Sequence, residues 1–182
     1  MKTSNEMKKV TLLLIFFAML CFVDSNAQLS VGLRLGSPTG VTVKKHFSNN
    51  NNRAIEAYLG ARNNYTNNYR YSYYSYNATV LGLAYLKYHD VEIENLDLGN
   101  LQWYFGFGGS IMHFYGRHRY YYDDIRRFAP SLQGYAGLSY QFDNFPFDLS
   151  LDIIPSLSLG GYNSGFSIGY GGLAIRYTLK PS

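Results

Sequence analysis

The chain has 182 residues, of which 47% are hydrophobic and only 15% charged, about ten points below the charge of an ordinary soluble domain. Its 19 Tyr and 18 Gly favour strands and turns, which excludes a helical bundle, and so apolar a composition excludes a disordered chain. A formal charge of +4 argues for no nucleic-acid partner.

Lys8 and Lys9 precede an apolar run from Val10 to Val23, followed by Asp24-Ser25-Asn26-Ala27. At about 14 residues the run is short of the roughly 20 that a spanning helix needs. The basic start, apolar middle and small residues at Ser25 and Ala27 predict a secretory signal peptide over 1–27, cleaved before Gln28. Cys21, the one cysteine, falls inside it and follows Leu20, where a lipid-attachment signal has a small residue. It reads as an apolar residue of the discarded leader. Losing Lys2, Lys8, Lys9, Glu6 and Asp24 leaves 13 basic against 10 acidic residues, a net +3. Residues 28–182, the single expected domain, contain no cysteine, so burial and backbone pairing must hold the fold.

From Leu29 onward, apolar residues recur at every second position, the signature of strands with two unlike faces. Leu29, Val31, Leu33 and Leu35 alternate with Ser30, Gly32, Arg34 and Gly36. Val41 and Val43 continue after a turn at 37–39, and Phe47 ends that strand. Ile55, Ala57 and Leu59 follow the Asn-rich turn at 48–53. Leu81, Leu83 and Tyr85 come after a polar stretch over 62–76, and Leu101, Trp103, Phe105 and Phe107 after a link over 89–100. Leu132, Ala136, Leu138, Tyr140 and Phe142 follow the polar stretch 116–130; Phe147, Leu149, Leu151 and Ile153 follow a short turn at 143–146. Leu173, Ile175, Tyr177 and Leu179 close the chain after a turn at 162–165.

Eight strands without an intervening helix predict an all-β fold, an eight-stranded antiparallel up-and-down barrel. The face opposite the aliphatics carries Gly, Ser, Ala, Gln and Tyr with few charges. That mixture suits a narrow lumen filled by side chains, which makes this a transmembrane β-barrel with its apolar face outward. A soluble exported calyx with an apolar interior is the alternative. With both termini on the periplasmic side, the longest polar segments, 62–76 and 116–130, fall outside the cell. Phe47, Tyr85, Trp103, Tyr140, Phe142, Phe147 and Tyr177 then form an aromatic girdle, with Lys45 and Lys87 placed to snorkel at strand ends.

Arg34, Lys44, Glu56, Asp148, Asp152 and Arg176 fall on the lumenal face. A hairpin centred on 50–51 sets Lys44 opposite Glu56, and one centred on 163–164 sets Asp152 close to Arg176. The expectation is an ion-pair network that plugs the lumen, beside Tyr58, Tyr104 and Tyr135. Such a barrel is a closed monomer, neither pore nor enzyme.

Tyr170-Gly171-Gly172-Leu173-Ala174-Ile175-Arg176-Tyr177 resembles the terminal-strand signal of outer-membrane proteins, with Gly172, Ile175 and Tyr177 at its defining places. Three further segments resemble small outer-membrane β-barrel proteins of Bacteroidota: Gly32 to Gly40, Gln102 to Gly109 and Phe147 to Pro155, together with the cleavage region Asn26-Ala27-Gln28. The resemblance implies a location in the cell outer membrane and the barrel assembly machinery as a partner during biogenesis. It implies no activity.

Residues 62–76 carry six Tyr, a composition similar to adaptable binding surfaces. Tyr69, Arg70, Tyr71, Arg117, Arg119, Tyr121, Arg126 and Arg127 are candidate surface-binding residues, the arginines suited to phosphates such as those of lipopolysaccharide. Polar loop tips without a ligand are the plainer alternative. A lipid A-modifying enzyme is a second class, drawing on Ser110, His113, His118, Asp123 and Asp124. No spacing ties these into a nucleophile, base and orienting group. The four His show no metal-ligand spacing, so neither metal nor cofactor is expected.

Overall fold

The computed structural model describes residues 28–47, 52–66, 74–91, 99–115, 128–160 and 165–179. The expected signal segment and all eight candidate loop residues, from Tyr69 to Arg127, lie outside them. Among the described residues ten strands form: β1 (Leu29–Ser37), β2 (Thr39–His46), β3 (Arg53–Thr66), β4 (Tyr74–Asp90), β5 (Gly99–Tyr115), β6 (Phe128–Phe142), β7 (Phe147–Ile153), β8 (Ser156–Ser158), β9 (Gly165–Ser167) and β10 (Gly171–Leu179). No helix occurs among the described residues.

These are the eight staves of a closed antiparallel barrel, because β7 with β8 and β9 with β10 are each one stave interrupted. Pairing runs β5-β4-β3-β2-β1-β10-β7-β6, and β5–β6 pairing closes the cylinder. Leu29 pairs with Leu179 at one end, called here the near end. At Pro155, which has no N–H to give, the ladder breaks. The neighbouring carbonyls and amides are still used: Ile154 N–H donates to Tyr170 O at 2.8 Å and Gly134 N–H to Pro155 O at 2.9 Å. On the facing stave Ser167 and Tyr170 both turn inward, so one extra residue enters around Gly169. Gly171 absorbs the change with φ +147°, and a Cβ there would lie 2.3 Å from the Asp152 carbonyl oxygen.

Several strands run further than their side-chain alternation. β3 continues to Thr66 and β4 begins at Tyr74, within the stretch expected as a loop, and β6 begins at Phe128. The link expected over 89–100 shortens to 91–98. Once two strands are extended side by side, backbone ladder bonds form whatever the side chains are. Asn63↔Asn77 and Asn64↔Tyr76 are such pairs.

The alternation sorts the faces. Leu33, Leu35, Leu81, Leu83, Phe107, Leu132, Leu151 and Ile153 are exposed on the outer wall, whereas Arg34, Lys44, Glu56, Asp148 and Arg176 are buried. The barrel is thus greasy outside and charged inside, the inverse of a water-soluble core.

Candidate functional site

The barrel interior is the candidate site, built by inward residues from every stave. The sequence alternation puts Arg34 on β1, Lys44 on β2, Glu56 on β3, Asp148 and Asp152 on β7 and Arg176 on β10, all facing the axis and each 5% exposed or less. Lys44 Nζ pairs with Asp148 Oδ2. Arg176 Nη1 donates to Asp148 Oδ1 at 3.1 Å and to Ser150 Oγ at 2.7 Å, and its Nη2 donates to Glu56 Oε1 at 2.6 Å. Arg34 Nη1 lies 3.7 Å from the same Glu56 oxygen. It also grips Asp152 with both nitrogens, Nη1 to Oδ2 at 3.0 Å and Nη2 to Oδ1. The six charges therefore form one chain of alternating sign: Lys44, Asp148, Arg176, Glu56, Arg34, Asp152.

Burying six charges costs several kcal/mol per ion unless each meets opposite charge and hydrogen-bond partners. Neutral groups complete those shells. Thr42 Oγ1 donates to Glu56 Oε1 at 2.7 Å, Tyr104 OH to Asp152 Oδ2 at 2.9 Å and Ser139 Oγ to Asp148 Oδ2 at 3.5 Å. Lys44 Nζ lies 5.3 Å from the centre of the Tyr88 ring, and the Arg34 guanidinium 5.7 Å from that of Tyr58, distances at which a ring face attracts a cation.

Two partnerships differ from expectation. Lys44 is paired with Glu56 in the β2–β3 ladder, yet its ammonium reaches across the lumen to Asp148, leaving Glu56 to the two arginines. Arg176 faces Asp148 in the β7–β10 ladder, not Asp152, which pairs with Gly172. Ser158 already pairs with Gly165, a register centred two residues earlier than the 163–164 expected, and the extra residue near Gly169 moves it back by only one, so counting from the expected turn misplaces the partner. Arg34 takes Asp152 instead.

Toward the far end, Tyr58 OH and Tyr135 OH both donate to Gln133 Oε1, at 2.8 and 2.7 Å, and Ser110 and Ser131 hydroxyls share a 2.8 Å bond. Beyond the serine pair lies an apolar tier of Ala78, Val80, Met112, Phe114 and Ala129. Arg62 caps it, its guanidinium 3.5 Å from the centre of the Tyr170 ring. This tier was not evident from the sequence, because Ile111, Met112, His113 and Phe114 are large on both faces and carry no period-two contrast.

Glycines make room for the tyrosines. Tyr58 pairs with Gly82, Tyr104 with Gly137 and Tyr135 with Gly106. A Cβ at Gly82 would fall 2.2 Å from Tyr58 Cζ, and one at Gly137 2.8 Å from Tyr104 Cζ. The bare backbone opposite Tyr58 and Tyr104 is what lets those rings lie along the wall.

At the near end, Asp90 Oδ1 accepts from Asn100 Nδ2 at 3.0 Å and Gln102 Nε2 at 2.7 Å, which ties together the two ends of the 91–98 link. Of the candidate enzyme residues, the two that are described are not brought together. Ser110 faces the lumen, bonded to Ser131, whereas His113 lies on the outer wall with its ring 4.7 Å from that of Phe128. His118, Asp123 and Asp124 lie outside the described residues. Among the described residues no group of three or more His, Cys, Asp or Glu could hold a metal ion. Gly172, Ile175 and Tyr177 sit on β10, the latter two facing out. Comparison with protein-family models, with curated proteins and with solved structures finds no match to this chain.

Proposed function

We propose that the chain is an integral outer-membrane β-barrel protein, exported by a cleaved signal over 1–27, whose plugged lumen serves rigidity rather than transport. The observation that carries this is the inversion of the faces. Leu33 is 61% exposed and Phe107 70%, while Arg34 and Arg176, one stave apart on the inside, are 1% exposed. Water penalises that outer face and a hydrocarbon solvent does not. A soluble calyx needs the reverse arrangement, with its large aliphatics lining the cavity.

The aromatic residues support the same solvent. Phe147 and Tyr177 meet edge to face at 5.7 Å, Tyr140 and Phe142 at 4.8 Å, and Trp103 and Phe105 stack at 5.7 Å. All sit on the outer wall toward the near end, as rings at headgroup depth do. Outer-membrane lipid and lipopolysaccharide are then the surroundings, the barrel assembly machinery meets the chain at β10, and the protein works as a monomer. The task is structural or surface-binding, through the far-end loops, without catalysis. A lipid A-modifying enzyme is the second class, and unchanged lipid A acylation in cells lacking the protein would exclude it.

Cell fractionation followed by gel electrophoresis of heated and unheated samples tests the proposal. The protein is expected in the outer-membrane fraction, migrating faster unheated because the barrel stays closed in detergent. Recovery in the soluble periplasmic fraction would overturn it.

A further inference from the structure

The outer wall carries a second charged feature that the lumenal network does not use. At one level across four neighbouring staves stand Phe47, Arg53, Lys87 and Phe105. Arg53 and Lys87 are directly paired across β3 and β4, Lys87 is directly paired with Phe105, and Phe47 N–H donates to the Arg53 carbonyl at 3.0 Å. Both cations are exposed on the outward face. Like charges placed opposite each other on one sheet face repel. No carboxylate of the described residues pairs with either, the ion pairs there being those of the lumen.

Around this pair the wall is aromatic. Tyr85 and Phe107 lie one row further in, with ring centres 5.8 Å apart. One row further out, His89 stacks on Trp103 at 4.4 Å and 16°. Two adjacent cations bracketed by rings, at the edge of an apolar band, fit an amphiphile that ends in an anion. The phosphate goes to Arg53 and Lys87, the glycerol region to the rings, and the acyl chains run along Leu81 and Leu83.

We propose that Arg53 and Lys87 form a binding site for the phosphate headgroup of an anionic phospholipid in the leaflet at the near end of the barrel. This rests on the membrane placement proposed above. Each cation near a membrane surface favours an anionic lipid by about fivefold, so the pair gives a preference on the order of tenfold or more over a zwitterionic lipid. The preference declines as salt screens the charges.

Trp103, the one tryptophan of the chain, sits beside the site and reports on it. The full barrel is reconstituted in phosphatidylcholine bilayers containing a minor fraction of brominated lipid, either phosphatidylglycerol or phosphatidylcholine. Brominated phosphatidylglycerol is expected to quench Trp103 several-fold more strongly at equal mole fraction. The preference is expected to disappear in the Arg53→Gln, Lys87→Gln double variant and to survive in Lys87→Arg. Equal quenching by both lipids, a preference untouched in the double variant, or its abolition by inorganic phosphate at constant ionic strength would overturn the headgroup site. Absence of quenching by either lipid would instead overturn the membrane placement on which it rests.

Discussion

Arg176→Ala is expected to lower the unfolding free energy of the barrel by about 3–5 kcal/mol, measured by urea titration in detergent micelles or bilayers. Arg176 is the middle link of the alternating chain. Its loss strands Glu56, which keeps only Arg34 at 3.7 Å and the Thr42 hydroxyl, and leaves Asp148 with Lys44 and a long bond from Ser139. The interior would then hold two cations against three carboxylates, leaving one buried negative charge in excess. The size of the loss comes from the abandoned carboxylates rather than from the pair's own attraction, since burying both partners already consumes most of that. Adding Glu56→Gln in the same chain should therefore recover part of the loss, because it removes the unpaired charge. An Arg176→Ala variant that unfolds like the parent would show that the network does not hold the fold.

Leu83→Arg is expected to cost about 2–4 kcal/mol in a bilayer, the penalty of a cation at mid-depth on a lipid-facing wall. Leu83 lies outward on β4 between Ala57 and Gly109 of the flanking strands, and it is 56% exposed. The same change on a water-facing surface alters stability by no more than about 0.5 kcal/mol. The predicted penalty thus comes from the solvent around the barrel and not from packing within it. Reversible unfolding from lipid vesicles reads it directly, and at Lys87, exposed two rows nearer the barrel end, the proposed placement expects a cation to be tolerated.

How far the sequence specifies this molecule depends on the range of the interaction concerned. The eight staves and the face each residue takes follow from strict alternation, as at Phe147, Leu149, Leu151 and Ile153 against Asp148, Ser150 and Asp152, because a pleated strand admits only two side-chain directions. The Lys44↔Glu56 register follows from a short turn. The partners within the lumen do not follow. A hairpin count finds lateral neighbours only, whereas Lys44 to Asp148 and Arg34 to Asp152 join staves that are not adjacent in sequence. Their meeting depends on barrel closure and stagger. Long side chains on both faces hid the apolar tier at Met112 and Phe114. In the last hairpin Ser158 pairs with Gly165, two residues earlier than the Tyr162-Asn163-Ser164-Gly165 turn suggests, because several polar and glycine residues in a row do not mark which pair is central.

The two charged features have different environments. In the lumen, three cations answer three carboxylates at contact distance with no counter-ion required. On the outer wall, Arg53 and Lys87 face each other with no such answer among the described residues, so on the proposed membrane placement that pair would respond to the surrounding lipid and to salt while the interior is insulated from both.

On the proposed placement the exposed aliphatic wall meets hydrocarbon. Because residues 28–182 contain no cysteine, nitroxide labels can be placed one at a time through Leu33→Cys, Leu83→Cys and Leu151→Cys in the reconstituted barrel. Power-saturation measurements are expected to show strong collision with oxygen, which concentrates in lipid, and weak collision with a water-soluble nickel chelate at all three sites. Strong nickel collision with little oxygen enrichment at those positions would place the wall in water and contradict the membrane barrel.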